Sequence, residues 1–171
     1  GNVKDEKEFD EKVAERLAEN YKQETDFRLG KDIKAYFTEK AAVKLPESFL
    51  KRWLYAINKG KFTMEDIEKE FDAFLADYRW QMINEYLMKK FELKVEEKDL
   101  VEAAHSYVAY QYAMYGMSNV PEQFIHESAQ KMLDDQQQVQ RLYEQVAEQK
   151  VINAVKDVIT LDKKSISVEK F

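Results

Sequence analysis

Two histidines are the only imidazoles in this 171-residue chain, and it has no cysteine. Disulfides, thiolate metal sites and cysteine nucleophiles are therefore excluded. His126-Glu127 opens like a helical zinc-protease motif, but the residue one helical turn further on is Gln130. The pair of histidines such a site needs on one helical face is missing. His105 stands among Ala and Tyr and reads as a surface or hydrogen-bonded histidine. The acid pairs Glu96-Glu97 and Asp134-Asp135 read as solvated charges on helices. No glycine pattern cradles a phosphate, and Lys and Arg alternate with acids, so no basic stripe forms. No metal, no cofactor and no enzymatic activity are expected.

One enrichment remains. Six of the ten tyrosines and four of the six methionines lie between residues 78 and 117. Methionine is flexible and polarizable, which suits surfaces that accept varied partners. Tyrosine combines apolar contact with a polar rim. Two readings fit: a promiscuous surface for unfolded polypeptide, or aromatic filling between neighbouring helices. On the first, the client contacts are Tyr107, Tyr110, Met114, Tyr115, Met117, Phe124 and Ile125, followed by Met82 and Tyr86 on the inner side of a long helix. Trp53, Leu54, Met64, Phe71 and Phe74 are assigned to structure.

The elements that must position these residues are helical. Gly and Pro together number only six, which is too little punctuation for sandwiches or barrels. Charged residues make up 35% of the chain and hydrophobic ones 44%, with a net charge of −6. That balance argues against nucleic acid as the main partner. No signal-peptide core and no run of about 20 apolar residues is visible, so a cytoplasmic setting without membrane contact is expected.

Half of the first 40 residues are charged. Against them Phe9, Val13, Leu17, Tyr21, Thr25, Leu29, Ile33, Phe37 and Ala41 recur every four residues, predicting one helix over 5–41. A stride of four drifts about 40° per step on a 3.6-residue helix, so the stripe spirals. Its two ends must meet different partners, or the helix bends at Gly30. A second helix starts at Leu45-Pro46, with Pro46 at its first position. Its face is Phe49, Leu50, Trp53, Leu54 and Ile57, and Asn58-Lys59-Gly60 stops it.

Thr63 with Asp66 predicts a capping box for a third helix, with Phe62 and Ile67 as a hydrophobic staple. Around 78–91 this helix is apolar nearly all round, so it is buried on several sides or presents apolar surface. A fourth helix over 96–115 ends at Gly116. Pro121 opens a fifth, a Gln-rich stretch leads into a sixth through Val155, and Ile159-Thr160-Leu161 is short and β-prone. SISVEKF reads as the opening of a further element. Helices of about 55 and 43 Å exceed the roughly 40 Å diameter of a globule this size. The expected fold is all-α: an elongated multi-helix domain, 1–171, with projecting helical arms.

Several of these segments, taken in order, resemble one family. FELKVEEKDL (91–100) is similar to the helix-turn-helix junction of trigger factor, the ribosome-associated bacterial chaperone. QKVINAVKDVITLDKKSISVEKF (149–171) resembles the end of that family's chaperone domain. LPESFLKRWL (45–54), after a long charged helix, resembles the segment leaving the family's prolyl isomerase domain. Nothing resembles the Gly-Phe-Arg type signature of the ribosome-binding domain, or the isomerase domain. The resemblance therefore implies the chaperone domain alone, with ribosome docking left to a domain this sequence lacks. It implies an ATP-independent cradle that holds unfolded or nascent chains through dispersed apolar patches. The alternative is a helical scaffold that binds one folded partner or pairs with itself as a homodimer.

Overall fold

The computed structural model describes residues 5–41, 43–58, 60–117, 119–162, 164 and 166–167. These form six α-helices and, among the described residues, no strand: α1 (Glu6–Lys40), α2 (Glu47–Ile57), α3 (Met64–Lys90), α4 (Glu97–Met114), α5 (Glu122–Leu133) and α6 (Gln136–Val158). The all-α expectation holds. The chain packs as two compact units, Gly1–Ile83 and Asn84–Phe171, divided within α3.

In the first unit, α1 begins at Asp5, whose carboxylate accepts the Glu8 N–H at 2.8 Å. The helix runs unbroken through Gly30, which is buried. The stripe meets two environments, as its spiral requires. Phe9, Val13, Leu17 and Tyr21 are exposed, whereas Ile33 is buried and Leu29 and Phe37 are half-buried. The second half lies beside α3, where the Lys34 ammonium sits 5.6 Å from the centre of the buried Trp80 ring.

Between α2 and α3 the core is Leu50, Ile67, Phe71 and Leu75, with Leu45, Leu54 and Phe74 packed on it. Pro46 is the residue before α2, not its first helical position, and its carbonyl accepts the N–H groups of Phe49 and Leu50. Trp53 and Met64, assigned to structure, are exposed. One turn of α2 buries Leu50 and half-buries Leu54 against α3 and leaves Phe49 and Trp53 exposed. Lys59, in the expected stop of α2, lies outside the described residues.

The α3 capping box forms as its spacing predicts. The Thr63 N–H donates to Asp66 Oδ2 at 3.0 Å, and the Asp66 N–H donates to Thr63 Oγ1 at 3.1 Å. The Thr63 hydroxyl and N–H hold the Asp66 carboxyl below its ordinary range. Farther along, Trp80, Ile83 and Leu87 are buried while Tyr78, Met82 and Tyr86 are exposed. The nearly all-apolar half of α3 thus has one covered and one open side.

The second unit joins the end of α3 to α4, α5 and α6. Its inner seam is Ala104, Val108, Ala129 and Leu142, lined by Leu100, Ala103, Tyr112, Ile125, Met132 and Leu133. The two alanines let helices approach closely there. Asp99 Oδ2 accepts the Glu96 N–H at 2.7 Å and pairs with Lys150 Nζ at 2.7 Å, so one carboxylate caps α4 and ties it to α6. Lys150 and the Glu96 N–H hold the Asp99 carboxyl low.

Asp135 caps α6 by accepting the N–H groups of Gln137 at 2.8 Å and Gln138 at 3.2 Å, which lowers its carboxyl as well. It is a structural cap, not the free solvated charge its sequence neighbourhood suggests, and the glutamines are the first turn of α6. Ile159 has extended backbone angles without strand pairing. The element expected at SISVEKF falls on residues 165 and 168–171, outside the described residues.

Two helix ends in this unit use the left-handed conformation differently. After α4, Gly116 adopts φ +77° and the Met117 N–H reaches back to the Tyr112 carbonyl at 2.9 Å. After α3, Glu92 takes φ 53° and the Leu93 N–H reaches the Met88 carbonyl at 2.9 Å. Both make the six-to-one bond of a Schellman ending, but only one has the residue that suits it.

Candidate functional site: an exposed aromatic and methionine flank on α4 and α5

Cross-links between α4 and α5 define how the flank is built. His105 Nε2 lies 2.7 Å from Glu122 Oε1, at the first residue of α5. About two turns farther along α4, the Tyr112 hydroxyl lies 3.2 Å from the Ser128 hydroxyl. The pairings advance together along both helices, so α5 runs in the same sense as α4, not back along it as the two halves of a hairpin would. Ser118, between the two helices in sequence, lies outside the described residues. The Asp99–Lys150 pair, at the start of α4 and late in α6, shows that α6 runs in the opposite sense to α4.

This arrangement leaves several large side chains outside the seam. Tyr110 is 64% exposed, Met114 70% and Tyr115 80%. Tyr107, Met117 and Phe124 are also exposed. Tyr110 and Met114 stand one turn apart on α4, and Tyr115 and Met117 follow its last turn. Phe124 sits on the first turns of α5, level with Tyr107. Ile125 is different: it is half-buried and packs on the inner seam. Met82 and Tyr86 are exposed on α3, Met82 in the first unit and Tyr86 in the second.

A shallow groove of about 380 Å³ opens beside the flank. Tyr107, Gln111 and Tyr115 form its α4 wall, and Ser128, Lys131 and Met132 form its α5 wall. The Gln111 side-chain amide donates to the Tyr107 hydroxyl at 2.9 Å. Sequence reasoning did not single out Gln111, Ser128 or Lys131. Their signal was present in the spacing of Tyr107, Gln111 and Tyr115 by helical turns, but the α5 wall depends on the direction of α5.

The first unit has a groove of its own, of about 440 Å³, between α2 and α3. Leu54, Phe62, Ile67, Phe71 and Phe74 line it, with Asp66, Lys69 and Glu70 at its edge. Phe62 and Ile67, the expected staple pair, both face this groove.

His105 is engaged by Glu122, and no group of three or more His, Asp and Glu side chains among the described residues is placed to hold a metal ion. No helix among the described residues is long and apolar enough to cross a membrane. What the flank offers is polarizable thioethers, aromatic faces and hydroxyl groups on a shallow surface.

Comparison with curated proteins gives no match. Comparison with solved structures gives none either. Among protein families, the one described as "Probable trigger factor, C-terminal domain" matches residues 25–171. That is the non-catalytic chaperone portion of trigger factor, and it implies binding of nascent or unfolded polypeptides. The match leaves out only the charged first part of α1 and takes in all of α2 to α6, so the chain belongs to the trigger factor C-terminal domain family.

Proposed function

We propose that this chain is a single chaperone domain, 1–171, that holds unfolded or nascent polypeptides in the cytoplasm without ATP. Its client contacts are Tyr107, Tyr110, Met114, Tyr115, Met117 and Phe124, with Met82 and Tyr86 as further contacts on α3. One observation carries the reading: Tyr107, Tyr110, Met114, Tyr115, Met117 and Phe124 stand exposed on α4, just after it and on α5, beside a seam already filled by other side chains of the same helices. A chain folded for itself alone gains nothing from that distribution. Exposed apolar area contributes about 25 cal/mol per Å² once a partner covers it. Ordering costs offset much of that gain, so each patch is weak and several together hold a client. Ile125 contributes from beneath, by supporting the flank.

The competing reading is a scaffold that binds one folded partner or a second copy through the same surface. Methionine-methyl NMR separates the two, since Met114 and Met117 report the flank, Met132 the seam and Met64 the first unit. Several unrelated, permanently unfolded apolar polypeptides should each shift Met114 and Met117 at micromolar concentration, with Met132 little changed. Their folded counterparts should shift nothing. The combined Tyr110→Ser, Met114→Ser and Phe124→Ser variant should lose most of this binding with an unchanged helical circular-dichroism spectrum. Full binding by that variant removes the flank from the site. Response to a single folded partner, or to protein concentration alone, gives the scaffold reading.

A further inference from the structure

The chain has no cysteine, so a two-electron oxidant meets no thiol on it, and its six methionine thioethers are the only sulfur present. The fold grades their exposure. Met114 is 70% exposed and Met117 55%, Met64 and Met82 are less open, and Met88 and Met132 are half-buried. The two most exposed thioethers thus stand three residues apart, at the end of α4 and just after it, among the proposed client contacts. Met132, by contrast, packs on the seam. The turn after α4 is closed by the backbone, with the Met117 N–H on the Tyr112 carbonyl at 2.9 Å and Gly116 at φ +77°. The side chains of Met114 and Met117 can therefore change polarity without unmaking that turn.

We infer that Met114 and Met117 are sites of reversible oxidation to the sulfoxide, and that this oxidation lowers client binding by the flank. The inference rests on the client-binding reading and adds a control to it. The thioether sulfur attacks one oxygen of a hydroperoxide, and an S–O bond forms as the O–O bond breaks. Sulfur gives up two electrons and the peroxide takes them. The proton of the attacked oxygen passes to the leaving one, which departs as water or an alcohol. The product carries a polar S–O group where there was apolar, polarizable surface. Pressing that group onto an apolar client strips its hydration without a hydrogen bond in return. The reverse step needs two electrons from outside, since this chain has no thiol of its own. Thiol-dependent sulfoxide reductases supply them, forming one disulfide and one water for each sulfoxide reduced.

The test uses the full chain, hydrogen peroxide as oxidant, and one permanently unfolded peptide rich in Leu and Phe as client. Peptide mapping by mass spectrometry should show Met114 and Met117 gaining oxygen at least about threefold faster than Met88 and Met132. Once both are converted, affinity for the peptide should fall at least about fivefold, with the helical circular-dichroism spectrum and thermal unfolding unchanged. Methionine sulfoxide reductases with a thiol reductant should restore it. In Met114→Leu with Met117→Leu, whatever the starting affinity, oxidation should change binding less than about twofold. Met64→Leu, outside the flank, should leave the loss as large as in the unaltered chain. Oxidation of Met88 or Met132 ahead of the flank pair overturns the site. Full conversion of Met114 and Met117 with affinity unchanged overturns the control and leaves client binding in place. An equal loss in the double variant overturns the location. Failure of the unoxidised chain to bind the peptide overturns the client reading, and the control with it, whatever the order of oxidation.

Discussion

The seam and the flank of the second unit are made by the same helices, yet one is covered and the other is open. On the seam, α4 offers Ala104 and Val108, α5 offers Ala129, and Leu142 of α6 closes over them. On the flank, Tyr110, Met114 and Phe124 project from α4 and α5 into solvent. Hydrophobicity alone does not separate the two sets. Direction does: Tyr112, Ile125 and Met132 turn onto the seam, while Tyr110, Phe124 and Met114 of the same helices turn to solvent. The apolar surface of the flank is thus a consequence of packing, set beside a core that is already complete without it.

That contrast can be broken from the seam side first. Leu142→Ala removes the largest seam residue, and the unfilled space should cost about 3 kcal/mol in denaturant unfolding. Ala104→Leu attacks the same place by overfilling it, and a loss of about 2 kcal/mol is expected because the close approach of α4 leaves no room. Equivalent changes on the flank should do almost nothing to stability. Tyr110→Ser with Met114→Ser should stay within about 1 kcal/mol of the unaltered chain in the same measurement, while client binding falls. A large loss of stability there would place these residues in the core and dissolve the comparison.

Two helix ends sharpen it further. Glu92→Gly should stabilise by about 1 kcal/mol, because a side chain at φ 53° carries a left-handed penalty that glycine does not. Gly116→Ala should cost a similar amount for the same reason, the site being otherwise open, with nothing within 4 Å of an added Cβ. The smallest effect expected is with acid. Asp66, Asp99 and Asp135 all have lowered carboxyl values through caps and, for Asp99, through Lys150. Groups with depressed values stabilise the fold above their unfolded value near 3.9 and lose that contribution as pH falls through the folded one. Thermal unfolding should therefore be flat from neutral pH to about 5 and decline below about 4. Asp99→Asn should weaken the decline.

Much of the fold was legible along the chain. The stride of four from Phe9 to Ala41 marks α1, and Thr63 with Asp66 marks the start of α3 to the residue. Such signals are local: they depend on residues within one turn, where sequence spacing equals spatial spacing. Pro46 and Trp53 show the limit. Pro46 takes the cap of α2, not its first helical position, and Trp53 is exposed because α3 covers only one side of α2. Asp135 read as a loose charge until its carboxylate was seen to close the first turn of α6.

The candidate site divides the same way. Which residues are aromatic or thioether belongs to the sequence alone. So does the helical character of nearly every segment, since propensity and periodicity act between neighbours. Tertiary structure decided which of those residues are free. Ile125 and Phe124 are adjacent and similar in chemistry, yet one rests on the seam and the other faces solvent. That outcome depends on α5 running in the same sense as α4, and on α6 crossing the seam at Leu142. Contacts between residues far apart along the chain set both, and the spacing of side chains within any one helix carries no information about them.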